Sequence, residues 1–125
     1  MEINQVSGHV VDSSMRVHTV LGPGLLENAY AVCLTHELRK RGLVVLREHA
    51  LPVEYDGVEI EIGYRVDLLV SDCVVVEVKA VNKLLPLHEA QLLSYLRLSG
   101  YKLGLLINFN VIHLKDGISR LVNGR

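Results

Sequence analysis

Cysteine is scarce in this chain: only Cys33 and Cys73 occur in 125 residues. They lie far apart, in a helical and a strand-edge context, without the paired spacing of a zinc site or a redox motif, so both read as small core or edge residues. Long hydrophobic runs are missing as well. The apolar stretches fall far short of a bilayer span, and Met1-Glu2-Ile3-Asn4-Gln5 lacks the basic and then apolar order of a signal peptide. A cytoplasmic protein with no membrane partner is the expectation. Charge of one sign is not in excess either: 13 Lys and Arg against 14 Asp and Glu give a formal charge of -1. Global attraction to nucleic acid is therefore absent, and any phosphate binding must come from local basic groups or a bound metal. There is no internal repeat, low-complexity tract or linker. What the chain does have is apolar material, 50% of its residues, enough for a single domain over residues 1–125 with a real hydrophobic core.

Ile3, Val6, Val10, Val17 and Val20 recur at helical spacing, which predicts an amphipathic helix over roughly the first twenty residues, with His9, Asp12 and Arg16 outward. Gly22-Pro23-Gly24 breaks it. A second helix follows with Leu26, Tyr30, Cys33, Leu34 and Leu38 inward, and with Arg39, Lys40 and Arg41 in its last turn before Gly42, where cations complement the helix dipole. From Leu43 the period changes to two. Val53 and Tyr55 lead to Asp56-Gly57, after which Val58, Ile60, Ile62 and Tyr64 alternate with Glu59 and Glu61, a hairpin signal. After Pro86 a helix is expected over Leu87 to Ser99, ending at Gly100, with an apolar strand over Leu103 to Ile107. Joining two apolar strands through a helix implies a strand, helix, strand crossover. Another hairpin is expected at Lys115-Asp116-Gly117.

The most informative residues are three charges on strands otherwise made for burial. Asp67 sits in Val66-Asp67-Leu68-Leu69-Val70, and Glu77 and Lys79 in Val74-Val75-Val76-Glu77-Val78-Lys79-Ala80. Side chains alternate along a strand, so Glu77 and Lys79 share one face while Val74, Val76, Val78 and Ala80 share the other. A short turn at Ser71-Asp72 makes the two strands antiparallel neighbours and brings Asp67 close to Glu77. Apolar residues on both sides suggest burial on both faces, where an unpaired ionised group costs several kcal/mol, roughly. A divalent cation held by Asp67 and Glu77, with Lys79 beside it, would compensate, because hard ions prefer carboxylate and carbonyl oxygens. The plainer alternative is an ion pair between Lys79 and either acid.

Together these residues resemble the PD-(D/E)XK nuclease superfamily, in which a hairpin of a mixed sheet presents an acid and then a Glu-x-Lys. More narrowly, Gly24-Leu25-Leu26-Glu27-Asn28-Ala29-Tyr30 is similar to the signature of the small GxxExxY proteins assigned to that superfamily. Asp67, Glu77-Val78-Lys79-Ala80, Gln91-Leu92-Leu93-Ser94-Tyr95-Leu96 and Gly104-Leu105-Leu106-Ile107-Asn108-Phe109 extend the similarity over nearly the whole chain. Val66 stands where the superfamily name places a proline, a residue that is not a metal ligand. The resemblance implies a mixed α/β fold, a restriction-endonuclease-like core whose central β-sheet is flanked by helices, with two N-terminal helices preceding the strands.

It also implies a site. Asp67, Glu77 and the Val78 carbonyl would bind Mg²⁺ or Mn²⁺, Lys79 would orient the attacking water or stabilise the transition state, and Glu27 would ligate or position the metal. Glu27 also interacts favourably with the helix dipole whatever its role. Gln91 and Tyr95, four apart on the third helix and joined on that face by His88, are similar to pairs that border the site in helicase-associated exonucleases of the superfamily. Without the resemblance they read as a helix edge. Structural roles are expected for His18 and His88, and His9, His36, His49 and His113 show no metal-ligand spacing. Basic residues available to hold phosphates include Lys83, Arg97 and Lys102, each of which also reads as part of a solvated face.

The expected activity is metal-dependent hydrolysis of phosphodiester bonds in DNA, with RNA second, and a homodimer would let two sites address two strands. Two other readings stand beside it: a nuclease-like binding or regulatory module without turnover, and an interaction protein whose charges form a satisfied ion-pair network.

Overall fold

Three helices, two on one side of a sheet and one on the other, follow directly from where the apolar residues fall. The structure, a computed structural model, describes residues 1–61 and 64–124. Helix α1 (Ile3–Leu21) buries Val6, Val10 and Val17, and α2 (Glu27–Lys40) buries Tyr30, Ala31, Leu34 and Leu38. Two inward expectations fail at helix ends. Val20 is 70% exposed, because at about 100° per residue it stands roughly 60° around the axis from Val17, past the edge of the buried stripe. Leu26 is 82% exposed, because it is the extended N-cap residue before the helix begins. Helix α3 (Pro86–Ser99) buries Leu92 and Leu96 and stops at Gly100, whose left-handed φ of 85° terminates it. Among the described residues no helix is long and apolar enough to cross a membrane.

The main sheet holds β1 (Val45–Ala50), β4 (Arg65–Val70), β5 (Val74–Lys79), β6 (Leu103–Asn108) and β7 (Ile118–Val122), side by side in that order. All neighbours are antiparallel except β5 and β6, which run parallel with α3 as the crossover. The expected mixed α/β architecture, with two helices before the first strand, is what the chain adopts. A separate hairpin, β2 (Val53–Tyr55) and β3 (Val58–Ile60), turns at Asp56 and Gly57, both at positive φ (54° and 75°). That is the backbone a two-residue hairpin loop requires. The alternation expected to run on through Ile62 and Tyr64 instead ends at Ile60; Ile62 lies outside the described residues, and Tyr64 is half-buried just ahead of β4. Between β4 and β5, Ser71 and Asp72 take the same left-handed conformation, and the Cys73 amide donates to the Val70 carbonyl at 3.1 Å.

The expected closing hairpin is present as the antiparallel pair β6 and β7, but a tight turn at Lys115-Asp116-Gly117 is not. Those residues form a single 3-10 turn, Leu114–Gly117, inside a longer connection from β6 to β7. Gly117 packs so tightly there that a Cβ would collide with the Asn108 carbonyl oxygen, so the glycine serves close packing and not a tight β-turn.

Each sheet face carries its own core. On the side of α1 and α2, Leu68, Val70, Val74, Val76, Val78, Leu105 and Ile107 meet the helices, and Tyr30 stacks on Phe109 with ring centroids 4.6 Å apart. Cys33 and Cys73 are free thiols packed at the margin of this cluster. On the other side Leu69, Val75 and Leu106 meet Leu92 and Leu96, and Gly104 lets α3 settle close, since a Cβ would lie 3.1 Å from both leucines. Burying side chains of this size is worth about 1.5 to 3 kcal/mol each. Strand β5 is covered on both faces, as its Val-rich sequence requires.

Candidate active site

Regular alternation fails at one residue, Asp67. Val66 belongs to the α3-side core while Leu68 belongs to the opposite one, although residues two apart on an undistorted strand share a face. The pairing of β4 with β5 ends at Leu68 with Val76. Beyond it the strands are tied by side chains: the Asp67 amide donates to Glu77 Oε1 at 2.9 Å, and the Val78 amide donates to Asp67 Oδ2 at 2.7 Å. On its other flank, β1 pairs Arg47 with Leu68 and His49 with Val66 but passes over Glu48, whose φ is 49°. Asp67 thus sits where the ladder is interrupted on both sides, and the two carboxylates substitute for the lost backbone acceptors.

Burial sets the electrostatics. Glu77 is 7% exposed. Its carboxyl is raised from 4.5 to about 7, by burial first and the charge of Asp67 second, against the pull of the Asp67 amide, the neighbouring Tyr64 hydroxyl and Lys79. Asp67 is also raised by burial; the Val78 amide and Lys79 oppose this, Glu27 adds to it and Arg47 opposes. Among the described residues the ion pairs are Lys40 with Glu37, Arg41 with Asp12 and Arg47 with Glu48. Lys79 therefore makes no close ion pair with either acid, and the plainer alternative to a cation is not what the structure contains.

Glu27 reaches the same place from another element. As the first residue of α2 its Oε2 accepts the Ala80 amide at 3.4 Å, just past Lys79. The turn before it is held by Tyr30, whose hydroxyl donates to the Gly22 carbonyl at 2.6 Å and accepts the Leu25 amide at 3.1 Å, while the Gly24 amide donates to Asn110 Oδ1 at 3.1 Å. In Gly24, Glu27 and Tyr30, then, the glycine (φ 100°) and the tyrosine build the turn and the glutamate faces the cleft. Asn108, at the end of β6, fixes the other wall. Its Oδ1 accepts the Val81 amide at 3.0 Å and its Nδ2 donates to the Val81 carbonyl at 2.9 Å.

On α3, Tyr95 stacks on Tyr64 with centroids 3.4 Å apart and planes 12° from parallel. Burial and the nearby Glu77 raise both hydroxyls. Gln91, one turn earlier, is exposed and makes no hydrogen bond among the described residues. His88 closes the start of α3, its Nδ1 accepting the Leu85 amide at 3.0 Å, and His18 Nε2 lies 2.7 Å from the Val111 carbonyl. Lys83, Arg97 and Lys102 are exposed, and Arg97 lines a different hollow beside the β2–β3 hairpin. The cavity that contains Glu27 and Asp67, about 350 Å³, is instead lined by Arg47, Arg65 and Asn28. These three, with Tyr64 and Asn108, were not expected as site residues, although Asn28 and Asn108 lie in the stretches that carry the family resemblance. The signal for the arginines was slight: Arg65 lies two residues before Asp67 on β4, and Arg47 lies on the neighbouring strand β1.

The donor chemistry suits a hard divalent cation. Glu77 is a buried carboxylate and Asp67 a half-buried one, neither has a close cationic partner, and Asp67 engages only one oxygen in a protein hydrogen bond among the described residues. No three His, Cys, Asp or Glu side chains among the described residues converge into a finished cage, so the protein side of such a site is Asp67 and Glu77, with backbone oxygens and water completing it.

Comparison with curated proteins gave no match, and neither did comparison with solved structures. A family profile, that of the PD-(D/E)XK nuclease superfamily, matches residues 4–121. Nucleases of this superfamily generally use divalent metal ions, and nucleic acid is their substrate. With that match spanning both N-terminal helices, the interrupted hairpin and the crossover, the chain belongs to the PD-(D/E)XK nuclease superfamily.

Proposed function

We propose that this chain is a metal-dependent nuclease that hydrolyses phosphodiester bonds in DNA, with RNA the lesser substrate, and that it is one of the small GxxExxY proteins of its superfamily. The observation that carries this reading is the pair of carboxylates across the interrupted hairpin, Glu77 accepting the Asp67 amide and Asp67 accepting the Val78 amide, beside a lysine that forms no close ion pair among the described residues. In this reading Asp67, Glu77 and the Val78 carbonyl hold Mg²⁺ or Mn²⁺. A cation held there would supply charge neutralisation at the scissile phosphate and a more acidic water. Lys79 stabilises the negative charge that develops on the phosphoryl oxygens, a role in which a fixed ammonium at a half-buried site is worth far more than one in solvent. Glu27, bonded to the amide that follows Lys79, supports the cation and the lysine's strand. Tyr95, braced by Tyr64, and Gln91 border the substrate on the α3 side.

The test is cleavage of labelled single- and double-stranded DNA and RNA in Mg²⁺, Mn²⁺ or EDTA, with Glu77→Ala as control. Cutting that requires the metal and disappears in the variant is expected; cutting that survives EDTA or the substitution contradicts the reading. A second reading, a nuclease-like binding or regulatory module without turnover, is favoured by the engagement of both carboxylates with backbone amides, which closes the hairpin without any metal. Nucleic-acid affinity with no metal-dependent cleavage distinguishes it.

A further inference from the structure

The cavity of about 350 Å³ beside Asp67 carries charges of both signs: Glu27, Glu48 and Asp67 on one hand, Arg47 and Arg65 on the other. We propose that Arg47 and Arg65 are the seat for the substrate's phosphodiester backbone, gripping a phosphate next to the carboxylates. This rests on the nuclease reading and names the contact that lets a chain of net charge -1 hold a polyanion.

Three observations support it. Neither guanidinium is saturated by the protein. Arg47 donates from Nη2 to Asn28 Oδ1 at 3.1 Å, its contact to Glu48 Oε2 is 3.7 Å, and its Nε is buried with no partner among the described residues. Arg65 donates from Nη1 to the Glu48 carbonyl at 3.3 Å. Each fork offers five N–H groups, so most donors remain for a ligand, and the planar fork matches two oxygens of one phosphate. The backbone between the two arginines is also unusual. Glu48, at φ 49°, breaks the edge-strand pairing opposite Asp67 and turns its carbonyl to Arg65. Left-handed conformation at a non-glycine residue within a strand costs free energy, and such breaks re-aim side chains beside functional sites. Finally, the competing carboxylate is weak. Glu48 is mostly exposed in its 3.7 Å contact with the half-buried Arg47, and an ion pair that long and open to solvent on the acid's side contributes little.

The experiment uses Lys79→Ala as the parent, so that substrate is not consumed, and reads fluorescence anisotropy of labelled oligonucleotides in Ca²⁺ over a range of salt. Arg47→Ala and Arg65→Ala should each weaken binding about tenfold on every sequence and lower the salt slope by about one. Arg47→Lys, which keeps the charge and the fold if the alanine variant does not, should retain the slope while losing affinity, because the fork is gone. Lys40→Ala, at the end of α2 away from Glu27 and outside the cavity, should change neither. Variants that bind with the parent's affinity and slope overturn this assignment alone, leaving the arginines as neutralisers of Asp67. A parent that binds no oligonucleotide overturns the nuclease reading and this assignment with it.

Discussion

Glu77 couples the fold to pH. Its carboxyl rises from 4.5 to about 7 in the folded protein, so between those values the folded state holds a proton that the unfolded chain has released. Stability from this group is thus full below about pH 4.5 and falls as pH rises through 7, by on the order of 3 kcal/mol at most. Asp67, raised by the same burial, acts in the same direction. In metal-free protein, the melting temperature of wild type should drop relative to Glu77→Gln between pH 5 and pH 8, and Mn²⁺ should restore wild type more at pH 8 than at pH 6, because the cation favours the ionised carboxylate. A pH-independent difference between the two proteins contradicts this account of Glu77. Asp67, Glu77 and Lys79 were legible in the sequence because charge within a Val-rich strand is costly and demands a reason. Tyr64, Arg47 and Arg65 were not. A tyrosine or arginine near a strand end is unremarkable by spacing, and only the break at Asp67 decides what it faces.

Elements, more than single residues, hold the cleft walls. Asn108 ends β6 and ties down the Val81 amide and carbonyl that follow Lys79, while Gly117 fits against the Asn108 carbonyl from the next connection. Asn108→Ala should destabilise the protein by about 1 to 3 kcal/mol, the cost of orphaning buried polar groups. Gly117→Ala should cost about as much by overpacking. Asn108→Ala should in addition lower cleavage by more than its stability loss explains, measured well below the melting temperature; equal cleavage per folded molecule would leave Asn108 purely structural. Helices and hairpins with strong local signals, such as α3 ending at Gly100 and the Asp56-Gly57 turn, were legible. The Lys115-Asp116-Gly117 turn was misjudged because its glycine answers to a distant carbonyl, and Leu26 because an N-cap residue shares the helical spacing without the helical backbone.

At the scale of the molecule, a buried sheet is opened at one point. Helices cover both faces of β5, and the parallel pairing of β5 with β6 carries Lys79 and Asn108 to the same end of the sheet, where α2 brings Glu27. The element order and mixed sheet could be read from periodicity and the crossover. The interruption could not, because it depends on the pairing of β4 with both β1 and β5 being broken around one aspartate. The measurement that bears most directly on the account is the cleavage rate of wild type and identically purified Lys79→Ala in Mn²⁺. A loss of about 100-fold or more is expected, the scale of removing one positioned electrostatic group, with the melting temperature nearly unchanged. Equal rates would contradict the assignment of this site as the one that cuts.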